Sequence, residues 1–186
     1  IWAKKHIHKA EHFKKNAETL QEKLLIDLVK SAEKTLFGLH HDFSEIKTVE
    51  DFQKKVKITD YEDIKPYIEK IKHGDKNILW PSTPEYFAKT SGTTSGVKYI
   101  PISSESMPFH ITAARDALLH YVHYSGNASF LDRKLIFLSG SPEMSETNGV
   151  PTGRLSGIVN HHVPGYLRGN QMPTYKTNCI RSEEHT

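Results

Sequence analysis

The sequence predicts an α/β fold, and three observations carry the prediction. Residues 1–77 are dominated by apolar positions at helical spacing. The texture changes at residue 78, where short apolar runs separated by turn residues begin. Beyond that point strand patterns alternate with a helical one, the signature of mixed layers. The expected organisation is a helical segment over 1–77 followed by an α/β region over 78–180.

The spacing predicts one helix over 3–37. Ala10, Phe13, Ala17, Leu20, Leu24, Leu28, Ala32 and Leu36 recur at three- and four-residue steps and draw one apolar stripe, expected to be a core face. Gly38 is the expected stop. Thr48 is placed to cap a second helix over 49–56. A third is expected over 61–71, ending near Gly74. Proline is tolerated best in a first turn, so its regular part is expected to begin at Pro66 and to bury Ile64, Tyr67, Ile68 and Ile71.

After the apolar segment Ile78-Leu79-Trp80-Pro81, a short strand is expected over 85–89 and another over 98–102. Ser103 or Ser104 can cap a helix running to about Tyr124, with Glu105 and Ser106 in its opening turn. Arg-Lys-Leu-Ile-Phe-Leu at 133–138 reads as a buried strand ended by Ser139-Gly140-Ser141-Pro142. Residues 143–178, rich in Gly, Pro and Asn, are expected to hold only short ordered stretches. No internal repeat is found.

Composition narrows the function classes. The 186 residues are 37% hydrophobic and 25% charged, ample for a core. The single cysteine, Cys179, has no partner for an internal disulfide and reads as a small neutral residue of a reducing compartment. No apolar run is long enough to span a membrane. Lys4 and Lys5 lie where a signal peptide would be apolar. A cytoplasmic location is therefore expected, with a true start upstream, since no initiator Met is present. The net charge of +3 is carried by residues 1–34, where eight lysines meet five acidic residues. The interleaved signs indicate a solvated helix face. Without Arg-rich blocks or interleaved aromatics, no nucleic-acid groove is expected.

The segment Thr90-Ser91-Gly92-Thr93-Thr94-Ser95-Gly96-Val97-Lys98 is the informative one. Glycines let the backbone curl and approach a ligand, successive N–H groups of such a turn converge on an anion, and hydroxyls add donors. Lys98 adds positive charge. These features suit nucleotide phosphates. A Walker loop is excluded, because Val97 stands where its second glycine belongs and a strand follows instead of a helix. The Gly-x-Gly-x-x-Gly fingerprint is absent as well. On composition alone a Ser/Thr/Gly loop is more often a plain surface turn, and its order is what distinguishes it.

Ser-Gly-Thr-Thr-Ser-Gly-x-Lys resembles the phosphate-binding loop of the adenylate-forming superfamily. Tyr61-Glu62-Asp63-Ile64-Lys65-Pro66-Tyr67-Ile68, Ile78-Leu79-Trp80-Pro81-Ser82 and Phe87-Ala88-Lys89-Thr90-Ser91-Gly92 resemble the acyl-acid amido synthetases, the family of plant auxin-responsive promoter proteins and their bacterial relatives. The likeness runs to about Cys179-Ile180. It implies the N-terminal part of a large adenylate-forming (ANL-type) α/β domain, preceded by the helical segment. It also implies an ATP- and Mg²⁺-dependent ligase that activates a carboxylic acid as acyl-adenylate and passes it to an amine, usually an amino acid. Ser91, Gly92, Thr93, Thr94, Ser95, Gly96 and Lys98 would hold the phosphates. The spacing between Ser95 and the lysine varies among relatives, so Lys98 is the least fixed of these. The family's acidic nucleotide motif, ribose-binding aspartate and mobile C-terminal domain are not in this sequence, and the chain alone is expected to be inactive.

Arg181-Ser182-Glu183-Glu184-His185-Thr186 matches the translation of AGATCGGAAGAGCACACG, the start of a widely used sequencing adapter, and is expected to be a non-native tail. Of the twelve histidines, the pairs His8/His12 and His120/His123 have helical spacing without a third ligand, so structural roles are expected. His161-His162 is a possible pocket border, and Arg154 is expected to make a structural ion pair before any substrate contact. Two alternatives stand beside the ligase. One is an acyl-CoA ligase of the phenylacetate-CoA ligase type. The other is a non-catalytic binding module using the basic N-terminal helix.

Overall fold

The structure is a computed structural model, and it describes residues 2–90 and 96–180. The chain forms two compact units, one of residues 8–84 and one of residues 1–7 together with 85–186.

The single helix expected over 3–37 is three: α1 (Trp2–Lys15), whose residues from His8 on belong to the helical unit, then α2 (Ala17–Ala32) and α3 (Leu36–His40). The first break falls at Asn16, whose side-chain amide donates to the His12 carbonyl at 2.9 Å and so competes with the helical ladder. The second falls at Thr35, fully buried, whose hydroxyl donates to the Ala32 carbonyl at 2.7 Å and accepts from the Gly38 N–H at 3.0 Å. One side chain thus closes α2 and caps α3. Gly38 lies inside α3 and not at a helix end; a Cβ there would overlap the backbone carbonyl of Ala32.

The buried face of α2 also differs from the expected stripe. Val29 and Ala32 join Phe43 and Ile46 in the core, with Leu25, Ile26, Phe37, Phe52, Val56 and Trp80 packed around them. Phe13, Leu24 and Leu28 are 47%, 55% and 47% exposed. The sequence of α2 is apolar on more than one side, and its tertiary partners select the Leu25/Val29/Ala32 side.

The other helices of this unit follow their caps. Thr48 caps α4 (Val49–Lys55) in a capping box with Asp51, and Asp60 caps α5 (Tyr61–Lys72) in a second one with Asp63. Pro66 sits within α5 and does not open it. The carbonyl of Glu62, left without its usual N–H, belongs to an exposed residue that water can reach. Ile68 and Ile71 are buried and Ile64 and Tyr67 half-buried, as the periodicity predicts.

The α/β unit is built on a four-stranded sheet in the order β2-β1-β5-β4, from β1 (Tyr86–Lys89), β2 (Tyr99–Ile102), β4 (Ser145–Thr147) and β5 (Val150–Arg154). The pairs β1–β2 and β4–β5 are antiparallel, whereas β1 and β5 run parallel. Asn148 and Gly149, both with positive φ, turn β4 into β5. Between the two hairpins come α6 (Met107–Ser125) and β3 (Leu135–Ile136). After them come α7 (Leu155–His161), α8 (Gly165–Arg168), β6 (Gln171–Met172) and α9 (Tyr175–Asn178). Ala88, Ile102, Met107 and Ile158 form the core between sheet and helices, flanked by Tyr86, Ile111 and Met144.

The strand expected over 133–138 shrinks to β3, two residues paired in parallel with β6 alone. It is not buried: Ile136 and Leu138 are 76% and 88% exposed. No described helix is long and apolar enough to cross a membrane.

Candidate functional site at the carboxyl ends of β1 and β5

The loop at 90–98 joins β1 to β2, and its base is closed by a 3.0 Å hydrogen bond from the Thr90 N–H to the Lys98 carbonyl. Full register from Tyr86↔Ile102 to Lys89↔Tyr99 holds the hairpin beneath it. Of the seven residues expected to meet phosphate, Gly96 and Lys98 are placed; Ser91, Gly92, Thr93, Thr94 and Ser95 lie outside the described residues. Gly96 has φ +81°, and among the described residues no atom stands within 4 Å of a Cβ built on it. The backbone conformation there favours glycine. Lys98 is half-buried at the hairpin base.

The parallel partner of β1 was not legible in the sequence. Val150-Pro151-Thr152-Gly153-Arg154 falls in the stretch expected to hold only short ordered segments, yet Thr152 and Gly153 are buried, and Gly153 lets Met144 and Ile158 approach the sheet. Its last residue, Arg154, stands in register with Lys89, the last residue of β1. Arg154 is exposed and has no ion-pair partner among the described residues, contrary to the structural pair expected. Its stem lies over Gly140, where an added Cβ would come within 2.8 Å of the Arg154 Cδ. The Gly140 N–H donates to Ser156 Oγ at 2.8 Å. Lys89 carries no pattern beyond its place before the loop; its Nζ donates to Ser145 Oγ at 3.0 Å and lies 5.9 Å from the Tyr99 ring centroid.

The two neighbouring histidines divide. His162 Nε2 lies 3.2 Å from the Tyr86 hydroxyl, tying the end of α7 to β1. Burial, with the nearby Glu85 carboxylate second, raises the Tyr86 pKa above the ordinary tyrosine value. His161 borders a cavity of about 170 Å³ with Asn160, Arg168, Gln171, Thr174 and Tyr175. Much of its polar lining is engaged internally. His161 Nε2 lies 2.7 Å from the Pro142 carbonyl, and the Arg168 guanidinium donates to the carbonyls of Val163 and His161, both at 2.8 Å. Among the described residues no group of three or more His, Cys, Asp or Glu could hold a metal.

Known proteins match this arrangement. The GH3 family N-terminal domain profile fits residues 6–183. Indole-3-acetic acid-amido synthetase GH3.2 of Arabidopsis thaliana is 30% identical over 99 residues, covering 52% of this chain and 18% of that protein. Indole-3-acetic acid-amido synthetase GH3.15 of the same plant is 33% identical over 104 residues, covering 54% and 17%. The solved structure of AtGH3.15 acyl acid amido synthetase in complex with 2,4-DB superposes with a TM-score of 0.77 at 22% identity, over 95% of this chain and 31% of that one. At that identity the likeness is one of fold. The chain belongs to the GH3 family.

Proposed function

We propose that this chain is the N-terminal, phosphate-handling part of a ligase that adenylates a carboxylic acid and joins it to an amino acid or another amine. The observation that carries the reading is the order of Ser91-Gly92-Thr93-Thr94-Ser95-Gly96-Val97-Lys98 on a closed hairpin in a GH3-family chain. The relatives named above are amido synthetases, two of them for indole-3-acetic acid.

In the first step a carboxylate oxygen attacks the α-phosphorus of ATP; the bond to the bridging oxygen breaks and pyrophosphate leaves with its electron pair. In the second step an amine attacks the acyl carbonyl, the carbon–oxygen bond to AMP breaks, and the amine proton passes to a base. The contribution of this chain is electrostatic. Backbone N–H groups and hydroxyls of residues 91–96 would neutralise charge on the phosphates, helped by Lys98. The left-handed turn at Gly96 suits such a curled backbone. Mg²⁺ would enter with ATP, on its phosphates. A cytoplasmic setting accords with the lone Cys179.

The test uses the full-length protein that carries this chain. Carboxylate-dependent exchange of labelled pyrophosphate into ATP is expected, followed by amide formation with an amino acid. Exchange with transfer to coenzyme A alone would make it an acyl-CoA ligase. Absence of exchange with any of a broad panel of acids, together with salt-sensitive binding to anionic lipid, would favour a binding module instead.

A further inference from the structure

Parallel pairing of β1 and β5 sets two cations side by side. Lys89 and Arg154 are in register at the carboxyl ends of these strands. In-register neighbours leave the same face of a sheet, so both side chains rise from the face that carries Phe87, Tyr99 and Thr152. Like charges so placed repel and weaken strand pairing. A purely structural pair would be expected to recruit a carboxylate. Among the described residues neither has one: Lys89 meets the Ser145 hydroxyl and the Tyr99 ring, and the Arg154 guanidinium is exposed and unpaired.

Arg154 is nevertheless held. Its Cβ and Cδ lie against Gly140, so close that an added Cβ at 140 would stand 3.3 and 2.8 Å from them. The Gly140 backbone is fixed in turn by its bond to Ser156 Oγ. The Arg154 stem is therefore packed along Gly140, at the strand position in register with Lys89. The carboxyl ends of parallel strands are where open α/β sheets bind their ligands.

We propose that Lys89 and Arg154 form a two-cation clamp for the anionic oxygens of one reactant, either a nucleotide phosphate or the substrate carboxylate. The identity of the reactant rests on the adenylating reading above; the presence of an anion between the two cations does not. The planar guanidinium takes two oxygens in parallel, and the lysine adds a point charge from the neighbouring strand. An anion between them removes the repulsion across the β1–β5 seam.

The test uses the full-length protein with Lys89→Gln, Arg154→Met and Arg154→Lys. The methionine keeps the stem over Gly140 and removes the fork. Without ligand, Lys89→Gln and Arg154→Met are expected to melt no lower than wild type, because one of two repelling charges is gone. In pyrophosphate exchange, KM for one reactant is expected to rise about tenfold or more with Arg154→Met and less with Arg154→Lys. A rise confined to ATP identifies a phosphate, and a rise confined to the acid identifies the carboxylate. If both KM values stay within roughly twofold of wild type, or if Arg154→Met alone melts far lower, the clamp is refuted. If wild type shows no exchange, the ligase reading fails, and thermal protection by pyrophosphate or benzoate decides the clamp. Protection lost in the variants supports it, and absence of protection in wild type overturns it.

Discussion

The backbone carbonyl of Ser141 lies directly against the Cα of Gly157, leaving no room for a Cβ. This contact seats the middle of α7 on the loop that follows β3. Gly157→Ala is expected to destabilise the protein by about 1–3 kcal/mol or more through overpacking against backbone that cannot rotate away. Gly165→Ala, with nothing within 4 Å of the added Cβ, is expected to be near neutral. Urea unfolding of both variants checks the contrast.

The cap of α4 offers a pH-dependent test. Thr48→Ala should cost about 1 kcal/mol by removing the acceptor for the Asp51 N–H. Asp51 returns the contact, accepting from the N–H groups of Lys47 and Thr48, both at 3.1 Å. The Lys47 N–H foremost, with both contacts of Thr48, holds its carboxyl below the ordinary aspartate range. A depressed folded pKa means stability present above the unfolded value and lost as pH falls through the folded one. Asp51→Asn should therefore be less stable than wild type at neutral pH, and the gap should close below about pH 4. Parallel melts across that range measure it.

The loop is tested by shape-conserving changes in the full-length protein. A hydrogen bond to a charged group is worth about 1.5–3 kcal/mol, so Thr93→Val is expected to lower ATP–pyrophosphate exchange roughly 10- to 150-fold. Gly92→Val should hinder backbone approach to phosphate and reduce exchange comparably. Lys98→Ala should match Thr93→Val if its ammonium meets phosphate. Near-normal exchange by folded Gly92→Val and Thr93→Val would remove this loop from the site.

Exposed apolar groups around β3 predict self-association of the 186-residue chain. Ile136, Phe137 and Leu138 are consecutive and 76%, 39% and 88% exposed. The chain is expected to bind hydrophobic dye and to aggregate on concentration. Ile136→Thr with Leu138→Ser should reduce both, as read by dye fluorescence and light scattering. A monomeric, dye-free wild-type chain would contradict this.

What the sequence reveals depends on whether local chemistry decides the outcome. Thr48 and Pro66 illustrate the two sides. The cap at Thr48 acts within one turn and could be read directly. Pro66 suggested a start that the Asp60–Asp63 capping box places one turn earlier. The spacing of Leu24 and Leu28 suits a core face, but Leu25 and Val29 have equally helical spacing, and Phe43 and Ile46 choose between the sides. The strand at 150–154 has no strand pattern of its own, because proline and glycine interrupt it. Its place in the sheet comes from register with Phe87 and Ala88, which no local pattern encodes. At the site, the loop was readable from residue order, whereas Arg154 acquires its neighbour Lys89 only through that non-local pairing.

The order β2-β1-β5-β4 has a kinetic consequence. Each antiparallel half is a hairpin whose partners are near in sequence, while the parallel seam between β1 and β5 joins segments separated by α6 and β3. The chain must close that long loop, at an entropic cost, before the seam returns any contact energy. The two hairpins are thus positioned to form early and the seam late. In the four-stranded sheet the ladder expected to assemble last is the one that brings Arg154 beside Lys89, so the pair of cations is expected to come together only when that sheet is complete.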